Sequence, residues 1–137
     1  MVEAIAEAAK TGAAILACPV IATLKEAKDK VIIQTVDRAG LYEAQTPQVF
    51  ETSLLKKAYA NLKNLDKNKI SVDSTGSPRD DAQLVEALGH EVSIVETDSS
   101  NIKITKPADV AIAEAILKSR PKPVPKGPIG PYIEAQW

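Results

Sequence analysis

The feature that most constrains this fold is the uninterrupted apolar run AAILACPV at positions 13–20. The run has the length of a strand, and no polar residue alternates with the apolar ones, so both faces of that strand must be buried. Strands of this kind lie in mainly parallel sheets that are covered by helices. The segment before it predicts a short helix that ends near Gly12. The apolar face of that helix carries Val2, Ile5, Ala6 and Ala9.

The segments that follow the run alternate between strand and helix patterns. ATLKEAKDK and VIIQTVDR surround the charged tip Glu26–Lys30 and predict a hairpin. Further patterns predict helices over about 52–62, 80–88 and 107–118, with a strand over 91–95. This alternation predicts an α/β fold with helices layered on a mainly parallel sheet. Residues 1–118 then form one domain, and the proline-rich residues 119–137 form a C-terminal tail.

Composition and charge exclude several classes of function. The net charge is −1 and aromatic residues make up 4% of the chain, so neither a basic field nor stacking side chains predict a nucleic-acid partner. No apolar stretch approaches the ~20 residues that span a bilayer. The first residues, MVEAIAEAAK, are acidic and lack the basic start of a signal peptide, so we expect a cytoplasmic protein.

Polar residues at the ends of the predicted elements are the candidates for a site. The single histidine and single cysteine, His90 and Cys18, do not form a metal or nucleophile cluster, and the glycines form no phosphate-binding loop. Asp80 and Asp81 suit the capping of a helix better than the binding of a metal. The threonine, arginine and lysine side chains among the candidates would suit the binding of an anion. The complete set is Thr23, Lys25, Arg38, Thr46, Asp80, Asp81, Asn101 and Lys103.

The stretch LYEAQTPQVF places two carboxamides and a hydroxyl around Pro47. Proline biases Thr46 towards an extended conformation, so we expect Thr46 at the end of a strand with its hydroxyl in a pocket. The alternative is that this hydroxyl caps the following helix.

Four stretches in order resemble the methylerythritol phosphate cytidylyltransferases of the non-mevalonate isoprenoid pathway. They are PVIATLKEAKD, TVDRAGLYEAQTPQVF, RDDAQLVEALGHEVSIVE and NIKITKPADVAIAEAIL, and the resemblance covers about 12–117. It implies Rossmann-like nucleotidyltransferase layers with a protruding hairpin arm over about 19–38. It also implies transfer of a cytidylyl group from CTP to 2-C-methyl-D-erythritol 4-phosphate. This transfer would release pyrophosphate and would require a divalent cation, Mg²⁺.

The resemblance also assigns roles to residues. Thr23 and Arg38 would contact the sugar phosphate in the neighbouring subunit of a homodimer that forms through the hairpin arm. Thr46 would hold the substrate phosphate or polyol, and Lys103 would also bind substrate. Lys25, Asp80, Asp81 and Asn101 would support the site, and no catalytic residue or metal ligand is assigned within the chain.

The chain departs from the family pattern in two places. Arg79 stands where the family usually has a threonine before its acidic pair. The Gly-rich CTP loop and the Asp-Ala-Ala-Arg-Pro segment of the family do not occur, so the resemblance predicts the C-terminal portion of an enzyme, inactive alone. A ribitol phosphate cytidylyltransferase and a non-catalytic interaction module are the alternatives.

Overall fold

The structure is a computed structural model that describes residues 1–64, 70–72, 74, 75 and 77–121. It divides into two units, Met1–Lys103 and Ile104–Trp137. The helices and strands of the first unit are α1 (Val2–Thr11), β1 (Ala13–Pro19), β2 (Leu24–Lys28), β3 (Val31–Val36), β4 (Tyr42–Phe50), α2 (Thr52–Ala60), α3 (Ala82–Ala87) and β5 (Ser93–Glu96), with a short 3₁₀ turn at Leu62–Asn64. The second unit contains α4 (Pro107–Ser119). The predicted tail boundary stays a prediction, because residues 122–137 lie outside the described part.

A three-stranded sheet in the order β4-β1-β5 forms the centre of the first unit. Strand β1 pairs in parallel with β5, from Ala14 opposite Ser93 to Ala17 opposite Glu96. It pairs antiparallel with β4. The predicted α/β class is confirmed, although the sheet is partly parallel where the sequence predicts a mainly parallel one. The reason is that the chain returns from the hairpin directly beside the strand it left, which gives an antiparallel neighbour.

Strand β1 is buried on both faces, as its apolar run predicts: every residue from Ala13 to Cys18 is buried. Ala13, Ile15 and Ala17 alternate along the strand and therefore face one side of the sheet. On that side they pack in clusters that also contain buried residues of α2 and α3, namely Ala58, Ala82, Leu84 and Val85. Burial of this central strand fixes the positions of the polar residues inside β4 and of the segment that follows β5.

The predicted inner face of α1 is wrong. The buried residues of this helix are Ala4 and Ala8, whereas Val2 is 80% exposed and Ile5 is 53% exposed. Alanine has the smallest side chain that still favours a helix, and it lets the helix backbone approach the sheet closely. Gly12 ends the helix with φ at 85°, and a β-carbon there would lie 3.3 Å from His90 Nε2.

The predicted hairpin is present as a separate two-stranded sheet of β2 and β3. Asp29 and Lys30 both have positive φ angles, 50° and 66°, which is the backbone of a tight two-residue hairpin turn. Three consecutive apolar side chains of β3 are more than half exposed: Val31, Ile32 and Ile33.

In the second unit, Asp109 organises the start of α4. Its Oδ2 accepts hydrogen bonds from the backbone N–H of Thr105 and of Lys106, both at 2.8 Å, and from the Thr105 hydroxyl at 3.1 Å. These bonds favour the charged carboxylate and lower the pKa of Asp109. Across the described residues, the helices are too short or too polar to span a bilayer.

Candidate functional site

The stretch around Pro47 forms a bulge inside β4. Ile15 of β1 lies opposite Gln48 and the next residue, Leu16, lies opposite Gln45, so Thr46 and Pro47 are left out of the register. Proline has no N–H to donate to a neighbouring strand, and a bulge removes that requirement. The Thr46–Pro47 peptide bond is cis. The expectation that Thr46 ends a strand is therefore wrong, since β4 continues to Phe50.

The carboxamide of Gln45 connects the bulge to the segment that follows β5. Its Oε1 accepts hydrogen bonds from the Thr97 hydroxyl at 2.7 Å and from Asn101 Nδ2 at 2.8 Å, and its Nε2 donates to the Asp98 carbonyl at 3.1 Å. Asn101 Nδ2 also donates to the Thr46 carbonyl at 2.9 Å. These bonds hold residues 97–101 against the bulge. The supporting role of Asn101 in a substrate site stays a prediction.

The second carboxamide, Gln48, connects the bulge to the start of α3. Gln48 Nε2 donates to Asp80 Oδ2 at 3.3 Å, and its Oε1 accepts a hydrogen bond from the Ala82 backbone at 3.3 Å. Asp80 Oδ1 accepts a hydrogen bond from the backbone N–H of Gln83 at 3.1 Å. Asp80 thus satisfies an N–H in the first turn of the helix, as the paired carboxylates predict.

A cavity of about 410 Å³ lies where the bulge, the start of α3 and the segment after β5 meet. It brings together four of the predicted site residues, Thr46, Asp80, Asn101 and Lys103. Sequence reasoning did not assign its other lining residues, which are Glu43, Ala44, Gln45, Gln48, Arg79, Ser99 and Ile102. The two glutamines that flank Thr46 and Pro47 are the sequence signal for some of these residues, because carboxamides at such positions can form hydrogen bonds from a bulge to neighbouring loops.

A second cavity, of about 720 Å³, adjoins the first and shares Thr46, Gln48, Arg79 and Asp80 with it. Tyr59 of α2 lies in this second cavity, and its hydroxyl donates to Asp81 Oδ1. That hydrogen bond to a carboxylate raises the pKa of Tyr59, because it favours the protonated phenol. Asp81 therefore lines the adjoining cavity and not the first one.

The three predicted site residues of the hairpin region do not line either cavity. Thr23 precedes β2 and is exposed. Lys25 Nζ donates to the Thr35 hydroxyl at 2.6 Å across the hairpin, and Arg38 donates to the carbonyl of Ile21. Their predicted action in a neighbouring subunit stays a prediction.

Cys18 is buried and lines neither of these two cavities. Desolvation, together with the charges of Glu43, Asp98 and Glu96, raises the pKa of its thiol. The thiol is therefore a poor nucleophile. Within the described ranges, no three His, Cys, Asp or Glu side chains cluster closely enough to hold a metal ion.

Comparison with known proteins gives consistent matches over most of the chain. The family model for 2-C-methyl-D-erythritol 4-phosphate cytidylyltransferase matches residues 1–119. The enzyme of that name from Rhodopirellula baltica is 48% identical over 113 residues, which are 82% of this chain and 42% of the relative. The Bacillus velezensis enzyme of that name is 45% identical over 113 residues, 82% of this chain and 45% of the relative. The chain thus spans less than half the length of these two curated relatives.

The solved structures give the same class. The crystal structure of 2-C-methyl-D-erythritol 4-phosphate cytidylyltransferase from Thermus thermophilus matches with a TM-score of 0.67 and 34% identity, over 85% of this chain and 53% of that one. Fold and comparisons together place the chain in the nucleotidyltransferase class. Because the family model covers most of its residues, the chain belongs to the 2-C-methyl-D-erythritol 4-phosphate cytidylyltransferase family.

Proposed function

We propose that this chain provides the sugar-phosphate side of an enzyme that transfers a cytidylyl group from CTP to 2-C-methyl-D-erythritol 4-phosphate. The observation that carries the proposal is the 410 Å³ cavity, which brings Thr46 and Lys103 together in a chain of this family. An ammonium group attracts a phosphate, and a hydroxyl adds a neutral hydrogen bond that can orient a polyol.

The reaction needs alignment and charge neutralisation rather than a protein nucleophile. A phosphate oxygen of the sugar phosphate attacks the α-phosphorus of CTP, and the bond from that phosphorus to the pyrophosphate group breaks. In this scheme Lys103 neutralises charge on the sugar phosphate. The network of Gln45 and Asn101 holds Thr46 in place before substrate arrives.

Mg²⁺ is the cation that we expect the reaction to use, and it would neutralise charge on the nucleotide phosphates. The described residues do not provide a cluster of three or more metal-binding side chains, so they do not fit as its site.

The partner that we propose is a second copy of this chain, bound through the hairpin, and the enzyme would work in the cytoplasm. The exposed apolar side chains Val31, Ile32 and Ile33 of β3 support an interface there, since burying exposed apolar side chains favours protein contacts. Thr23 and Arg38 flank that hairpin and would reach the partner's cavity. Ile32→Glu should give a monomer in sedimentation velocity, whereas the control Leu117→Glu, at an exposed apolar residue of α4, should not.

The proposed reaction is tested with a chimaera that joins the N-terminal half of the Bacillus velezensis relative to this chain. With CTP, Mg²⁺ and methylerythritol phosphate it should release pyrophosphate, and Lys103→Met should lower kcat/KM. Preference for ribitol phosphate would instead assign the chain to the alternative substrate. If the chimaera folds but releases no pyrophosphate with either acceptor, that result would contradict the proposed function and favour a non-catalytic module.

A further inference from the structure

Arg79 lies at the junction of the two cavities and lines both of them. Two hydrogen bonds to Ser71 hold it there. The backbone N–H of Arg79 donates to the Ser71 carbonyl at 3.2 Å, and Arg79 Nε donates to the Ser71 hydroxyl at 2.8 Å. One edge of the guanidinium is therefore bound within the protein, while its terminal nitrogens donate to none of the described residues. A side chain held in this way loses less conformational freedom when it binds a ligand.

Among the described residues, no carboxylate forms an ion pair that neutralises the charge of Arg79. The adjacent carboxylate, Asp80, uses one oxygen for Gln48 Nε2 and the other for the backbone of Gln83. Within the part of the chain that the structure describes, neither Arg79 nor Lys103 makes an ion pair. Glu43 also lines the first cavity and would repel an anion at its own end. The cavity thus has two cations that can meet an anionic ligand.

We propose that Arg79 is a specificity-determining residue that binds the phosphate of the sugar phosphate together with Lys103. The inference rests on the proposed function and adds a residue to which the resemblance gives no role. The guanidinium offers two parallel N–H donors to two phosphate oxygens, which an ammonium or a hydroxyl cannot do. Arg79 therefore favours a phosphomonoester over the corresponding neutral polyol.

The test measures binding to the purified 137-residue chain by calorimetry, with three probes. The probes are methylerythritol 4-phosphate, methylerythritol without phosphate, and inorganic phosphate. Arg79→Met should weaken the first and third on the order of tenfold, since hydrogen bonds to charged groups carry most of that affinity, and leave the second unchanged. Arg79→Lys should restore part of the loss. Lys10→Met removes a charge that does not line the first cavity, and it should bind as the unmodified chain does.

The outcomes separate this inference from the proposed function. If Lys103→Met no longer binds the sugar phosphate and Arg79→Met still binds it, Arg79 has no role in phosphate binding and the proposed function stands. If the chain binds inorganic phosphate through Arg79 but not methylerythritol phosphate, the anion site stands and the proposed substrate is wrong. Equal loss of the neutral polyol in Arg79→Met would show a structural role and overturn the inference. A chain that binds none of the three probes would contradict both.

Discussion

Replacing Gln45 with methionine removes the side chain that connects the bulge to the segment after β5. Methionine keeps the length and makes none of the three hydrogen bonds of Gln45. Each such bond contributes roughly 0.5–1.5 kcal/mol net. Two of the donors keep another acceptor: the Thr97 hydroxyl still reaches the Ala17 carbonyl at 3.1 Å, and Asn101 still reaches Thr46. We therefore expect a loss near the lower end of the sum, ~1–2 kcal/mol of unfolding free energy.

Urea unfolding followed by circular dichroism measures this loss as a shift of the midpoint at constant m-value. Gln34→Met is a matched control, because the one described acceptor of Gln34 Nε2 is Glu26 on the exposed hairpin, and such surface pairs contribute about 0–1 kcal/mol. Hydrogen exchange of the backbone amides at 97–101 should also become faster in Gln45→Met, and it should not change in Gln34→Met. If Gln45→Met costs no more stability than Gln34→Met, the carboxamide network does not hold the site.

Three further predictions follow from single side chains. Thr46→Val should weaken binding of the sugar phosphate by ~1–3 kcal/mol without changing the melting temperature, whereas Thr46→Ser should retain binding. A Thr46→Val variant that is destabilised but binds the sugar phosphate normally would contradict a role of Thr46 in the site. Because the pKa of Asp109 is lowered in the fold, its stabilisation of α4 is present at neutral pH and is lost as the pH falls through that pKa, below about pH 4. NMR titration should show a lower Asp109 pKa in the native chain than in urea, and equal values would refute the cap. Iodoacetamide should alkylate Cys18 at pH 8 on the order of tenfold more slowly in the native chain than in urea, and equal rates would contradict its burial.

Local patterns in the sequence determined most of the elements. The apolar run at 13–20 predicted a strand buried on both faces, because only a central strand can bury so many consecutive side chains. The hairpin, α4 and the start of α3 behind Asp80 and Asp81 followed from charge, proline and capping signals that act within a few residues. The family followed from four motifs in order, which the family model matches over residues 1–119.

Tertiary packing decided the features that depend on distant partners. The inner face of α1 could not be predicted from the sizes of its side chains, because its approach to the sheet selects the small residues Ala4 and Ala8. The direction of β4 was likewise decided by its return beside β1, which made the pair antiparallel.

The site shows the same division. Its residue types could be chosen from the sequence, and four of them line one cavity: Thr46, Asp80, Asn101 and Lys103. The contributions of Gln45, Gln48 and Arg79 depend on bonds to residues 8–56 positions away in the chain, and no local pattern encodes such partners. Sequence determines which side chains are available for a phosphate, whereas tertiary structure decides which of them meet, since that depends on how separate segments pack around one buried strand.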